Sequence, residues 1–171
     1  IPAGLTGGLN SGEWISTTSG ATAVYGEGSS DCSNDSPDID ACDEAQSLSE
    51  YGRLYNWYAA TDARGLCPSG WHVPTDGEWT VLEMELGMTQ WQTAATGWRG
   101  TNQGRKLKST YGWRSGNNGT DDFGFSALPG GYRINDGRFI FAGESGYWWS
   151  SSPFGGNAWY RSLVYVNHRV W

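Results

Sequence analysis

The spacing of apolar and polar positions changes several times along the chain. Residues 1–30 scatter Leu, Trp, Ile, Val and Tyr among Gly, Ser and Thr with weak periodicity. Gly20-Ala21-Thr22-Ala23-Val24-Tyr25 has strand character, but the stretch as a whole reads as an extended N-terminal arm and not as a core element. Residues 31–44 form a polar, acidic loop. Leu48, Tyr51, Leu54, Tyr55 and Tyr58 then recur at helical spacing and predict one amphipathic helix from Leu48 to Ala60. A sharper signal follows, because Thr75 with Glu78 three residues on is a capping box and Asp76 suits the positive end of a helix. Trp79, Leu82 and Leu86 share a face of that helix, and Gly87 stops it.

After about residue 105 the pattern is one of short aromatic segments punctuated by glycine. Asn135-Asp136-Gly137 lies between Tyr132-Arg133-Ile134 and Arg138-Phe139-Ile140-Phe141, and Asp-Gly suits the positive φ of a hairpin turn. Trp159 to Val166 alternates as a further strand. The expected fold is α+β: an arm over residues 1–30, then a domain over 31–171 with two helices and a loop-rich antiparallel sheet. No internal repeat of solenoid length is present.

Composition narrows the classes. The 171 residues suit one compact domain, and no apolar run approaches the roughly 20 residues needed to span a bilayer. Eighteen acids against eleven bases give a net charge of −7, with no basic stripe, which is a poor surface for nucleic acid. Eleven Trp, nine Tyr and 26 Gly with only 17% charged residues leave aromatic area over for binding. The chain opens Ile1-Pro2-Ala3-Gly4 without an initiator Met or a leader-like segment, as after removal of a signal peptide or from within a longer precursor. Cys32 and Cys42 are ten residues apart across a loop holding Pro37. A bridge there would contribute roughly 2–3 kcal/mol; the alternative is a pair of reduced thiols in a cytosolic protein. Cys67 has no evident partner.

Four strings carry a resemblance: Tyr51-Gly-Arg-Leu-Tyr-Asn-Trp57, Cys67-Pro-Ser-Gly-Trp-His-Val-Pro-Thr75 with Glu78-Trp79, Gly124-Phe-Ser-Ala-Leu-Pro-Gly-Gly-Tyr-Arg133, and Gly146-Tyr-Trp-Trp-Ser-Ser-Ser152. Over roughly residues 42–166 the chain resembles the Fibrobacter succinogenes major paralogous domain, a bacterial family of secreted and surface proteins. The resemblance implies a C-type-lectin-like fold related to the formylglycine-generating enzyme, and an extracellular or cell-surface location. Family members continue past the position of Trp171 into a closing strand whose cysteine would be the natural partner of Cys67. On that basis the sheet is expected to lack a strand, supplied either by a longer chain or by a neighbour, because an open edge invites pairing.

Catalysis is not expected. The related enzyme branch uses a late pair of cysteines, and here none follows Cys67; His72 reads as a packed or hydrogen-bonded residue and not a base, His168 has no visible partner, and no Ser-His-Asp grouping, P-loop or GxGxxG element is evident. Asp31, Asn34, Asp35, Asp38, Asp40 and Asp43 could supply the oxygens that Ca²⁺ needs, or could simply be a solvated loop. Asn117, Asn118, Asp121 and Asp122 form a weaker oxygen cluster. Asn34-Asp35-Ser36 and Asn118-Gly119-Thr120 fit the N-glycosylation pattern, a coincidence in a bacterial protein. The ligand-binding candidates are Tyr147, Trp149, Trp159 and Tyr160, with Arg133, Asn157 and Arg161 as polar contacts; alternation means that Trp148 cannot face the same way as both Tyr147 and Trp149, so at least one of these rings is expected to fill the core. Two functions follow as expectations. One is a non-catalytic subunit of an adhesive fibre, binding copies of itself by arm or strand exchange. The other is a monomeric lectin-like module that takes a glycan on the late aromatic patch.

Overall fold

The computed structural model describes residues 4–171. It is an α+β chain with six short α-helices and seven short strands among the described residues. Helix α1 is Ser11–Ser16, followed by β1 (Thr22–Ala23), β2 (Cys32–Asn34), α2 (Glu44–Glu50), β3 (Leu54–Tyr55) and α3 (Trp57–Ala60). Then come α4 (Asp76–Glu85), α5 (Gln90–Thr93), α6 (Gln103–Leu107), a 3₁₀ turn at Arg114–Gly116, β4 (Gly130–Arg133), β5 (Phe139–Ala142), β6 (Ser145–Phe154) and β7 (Asn157–Val164). The strands make three small sheets: β1 against β3, β2-β5-β4, and the β6–β7 ribbon. No helix among the described residues is long and apolar enough to cross a membrane.

The two strongest local signals hold. Thr75 accepts the Glu78 N–H while the Glu78 carboxylate reaches back to Thr75, and the helix stops before Gly87 at φ +102°. Ile134 and Arg138 close the turn between β4 and β5, with Gly137 at φ +89°. The sheet is not purely antiparallel, however, because β2 runs parallel to β5.

The helix predicted over Leu48–Ala60 is three elements. Gly52 takes φ +74° and ends α2, and Asn56 starts α3 by accepting from Ala59 N–H. The same Asn56 side chain accepts from Ala21 N–H and donates to the Ser19 carbonyl. A residue that must bond a segment 35 positions away sits outside a helix, so β3 intervenes.

The predicted arm is corrected as well. Residues 1–3 lie outside the described residues, but the rest of the stretch is built into the domain. Asn10 caps α1, Thr6 bridges Ala21, and β1 pairs with β3. Ala21, Ala23 and Tyr25 are buried. Tyr25 packs at 5.4 Å from the Phe139 ring, donates to the Ser33 carbonyl and accepts from Ala142 N–H, so its hydroxyl is satisfied on both sides. Small residues allow close approach of β1, and one aromatic ring with a fully bonded hydroxyl makes the segment core.

Two apolar cores result. One gathers Ala23, Tyr25, Ala41, Phe139 and Ala142; the other gathers Leu86, Met88, Leu107, Trp113, Ala127, Leu163 and Val170. Lys108 is buried beside the second. Its ammonium donates to the carbonyls of Asn117, Val164, Tyr165 and Asn167 at 3.1–3.4 Å and lies 4.8 Å from the Trp113 ring centroid. Burial, with Arg105 nearby, pulls it from 10.5 down to about 8.

Candidate ligand-binding groove

Residues of β3, β4, β6 and β7 line a groove of about 1130 Å³. Its floor is set by three indole N–H groups that fix β6: Trp149 Nε1 donates to the Tyr55 carbonyl at 2.8 Å, Trp57 Nε1 to Ser150 at 3.2 Å, and Trp79 Nε1 to Trp149 at 3.4 Å. Each bond is directional and holds the strand against a different element. Trp148 packs on the second core, edge-on to Phe125.

Above that floor runs a stripe of aromatic rings drawn from β4, β6 and β7, which Phe141 of β5 extends beyond the groove lining. Phe141 lies 5.8 Å from Tyr132, Tyr132 4.6 Å from Tyr147, Tyr147 5.8 Å from Tyr160, and Tyr160 6.1 Å from Trp149, centroid to centroid. These spacings are those of tilted and edge-on stacking. Tyr147 is 39% exposed, so the stripe is accessible. Tyr25 and Tyr51 spend their hydroxyls on Ser33 and Ser36; those of Tyr132, Tyr147 and Tyr160 have no such partner among the described residues. Burial, with Tyr147 and Tyr160 adjacent, raises the Tyr132 phenol above 10, which keeps it a donor at neutral pH.

The seven residues expected to bind ligand are not all brought together, and Tyr160 borders both the groove and a second cleft. Tyr147 and Trp149 belong to the groove. Arg133 borders it, but its Nε donates to Gly137 and its Nη2 to Leu9, and the guanidinium is sandwiched between Trp14 and Phe139 at 4.5 and 4.7 Å. It anchors the N-terminal residues. Asn157 and Trp159 line a separate cleft of about 490 Å³, with Trp159 stacked on Phe154 at 4.2 Å.

Arg161 is corrected from ligand contact to buried cation. It is 3% exposed; its Nε donates to Glu83 Oε1 at 2.7 Å and its Nη1 pairs with Asp76 at 2.8 Å. Arg99 meets the same Glu83 oxygen at 2.6 Å. Glu83 is 1% exposed, and a carboxylate so buried requires cationic partners. Nothing local in the sequence marks Glu83 as that partner, 78 positions from Arg161.

The acidic loop is pinned by a Cys32–Cys42 disulfide, but its oxygens diverge. Asp40 accepts from Cys42 N–H and Asn34, Asp35 pairs with Arg114, and Asp43 caps α2. Asp31 and Asp38 are exposed. In the later cluster Asn118 accepts from Trp113 N–H and Asp121 from Ser126, while Asn117 donates to the Arg114 carbonyl. Among the described residues no three His, Cys, Asp or Glu converge to hold a metal. His72 bonds Glu78 at 2.8 Å, and the Thr75 backbone together with His72 holds that carboxyl down at about 2. Cys67 is a free, half-buried thiol bordering the groove.

Sequence reasoning missed Tyr132 and Arg53. The hairpin register puts Tyr132 opposite Ile140 and could have found the first. Arg53 was hidden by the assumed helix.

These features define an α+β domain with one disulfide, a buried ion network and an open aromatic groove. The family model of the Fibrobacter succinogenes major domain matches residues 14–170, and the chain belongs to that family. The match reaches well into the residues expected to be an arm, in keeping with their place in the core. No curated protein and no solved structure matched the chain.

Proposed function

We propose that this chain is a non-catalytic, extracellular bacterial recognition module of C-type-lectin-like fold that holds a glycan in the aromatic groove. The observation that carries the reading is the stripe from Tyr132 through Tyr147 and Tyr160 to Trp149. A sugar ring has an apolar face, which aromatic faces cover, and hydroxyls, which phenol groups bond. The disulfide fits an oxidising compartment. Oligosaccharide arrays followed by calorimetry test the reading. Tyr147→Ala is expected to weaken the bound glycan at least about tenfold, or roughly 1.4 kcal/mol. Silence across broad arrays overturns it.

A second reading, self-assembly by strand addition, is favoured by one observation. Ser162 and Trp171 exchange backbone hydrogen bonds on the outer side of β7. Alternation then turns the N–H and C=O of Tyr160 and Ala158 to that same side, where an extended segment of another copy can continue the ladder. Residues 4–25, packed into their own domain, are not the donor in this reading. Sedimentation should show association that Ala158→Pro, which removes an edge N–H, abolishes. A native protein that stays monomeric at high concentration sinks the idea.

A further inference from the structure

The groove has a charge character that the chain as a whole lacks. The protein carries 18 acidic residues against 11 basic ones, yet Arg53, Arg133 and His72 line the groove and, among the described residues, no Asp or Glu does. Only the two arginines are fixed cations, and the three side chains are not equivalent. His72 is bonded to Glu78, and Arg133 donates through Nε and Nη2 to the Gly137 and Leu9 carbonyls, which fixes its guanidinium and leaves only the buried Nη1 without a partner. Arg53 is different. Arg64, Arg114 and Arg138 each pair with a carboxylate, whereas Arg53 makes no ion pair among the described residues. It is half-buried and directly precedes Leu54 and Tyr55, which also line the groove.

We propose that the glycan taken by this groove is an acidic one, with its carboxylate on the Arg53 guanidinium and its ring on the tyrosine stripe. The proposal rests on the glycan reading above and names the class of sugar. A guanidinium offers a planar fork of donors that matches a carboxylate. Aromatic walls lower the local dielectric, and no neighbouring acid competes for the cation, so the pair is worth more here than on an open surface. The free hydroxyls of Tyr132, Tyr147 and Tyr160 add neutral donors that suit both carboxylate and sugar oxygens.

Calorimetry with a galacturonate hexasaccharide and its methyl ester tests this, because the two differ in charge while sharing the sugar backbone. The free acid is expected to bind about tenfold more tightly than the ester. That gap should close as sodium chloride is raised, a readout on the unaltered protein that does not depend on any variant folding. Arg53→Gln should bring the free acid down to the affinity of the ester, and Arg53→Lys should restore part of the difference. Equal binding of acid and ester, or binding of neutral oligosaccharides alone, overturns the acidic assignment and leaves the glycan reading standing. Binding of no saccharide at all overturns both.

Discussion

An ammonium group withdrawn from water and facing four carbonyl oxygens behaves unlike one on a surface. Lys108 ties the Asn117 loop and the turn after β7 to the end of α6, and an apolar replacement leaves those carbonyls facing nothing. Lys108→Met is therefore expected to destabilise the domain by about 3 kcal/mol in urea unfolding. The pH dependence has a definite sign. The folded pKa of about 8 lies below the unfolded 10.5, so between these values the unfolded chain binds the proton that the native one sheds. Stability should rise from pH 8 to pH 10, by about 2 kcal/mol, and the rise should be missing in Lys108→Met. Above pH 10 the buried phenols of Tyr25 and Tyr51, whose folded pKa values are raised, act in the opposite direction. A flat profile over pH 8–10 in the unaltered protein would refute this account. Neither Lys108 nor the Glu83–Arg99–Arg161 network is visible in a linear reading, because their partners are distant backbone groups and side chains.

At the scale of elements, what the sequence makes legible is what is decided within a few residues. The capping box of α4 needs only Thr75 and Glu78, and the β4–β5 turn only Asp136 and Gly137. The helix expected over Leu48–Ala60 fails for the complementary reason. Its periodicity is real, but Gly52 and the long-range bonds of Asn56 override it. The disulfide is another local feature that can be read from spacing, and it acts on an element that has little else to hold it. Strand β2 is three residues long and pairs with β5 through an irregular register. Reduction, or replacement of both cysteines by serine, should lower stability by about 2–3 kcal/mol. For a domain of this size the melting temperature should fall by about 5–10 °C. An unchanged melting curve would show that β2 is held by other means.

Across the whole molecule, the second-half strands and the α+β class were within reach of pattern reading, and the partition into arm and domain was not. Ala21-Thr22-Ala23-Val24-Tyr25 is too short and too mixed to announce that it is core; only its contacts with β3 and Phe139 make it so. The binding candidates divide along the same line. Tyr147 and Trp149 were legible as surplus aromatics on a strand, whereas the assembly of a stripe from β4, β5, β6 and β7 is a property of the packed sheets.

The three indole clamps on β6 have a thermodynamic corollary. A greasy contact can slide by an ångström at little cost, but three N–H bonds aimed in different directions fix both the height and the twist of the strand. On the glycan reading proposed above, the binding surface is set when the chain folds, so capture of a ligand is expected to involve almost no reordering of backbone. The module should behave as a stamp and not as a mitten. Complexes would form at rates limited by collision and orientation, and differences between ligands would appear in how long they stay.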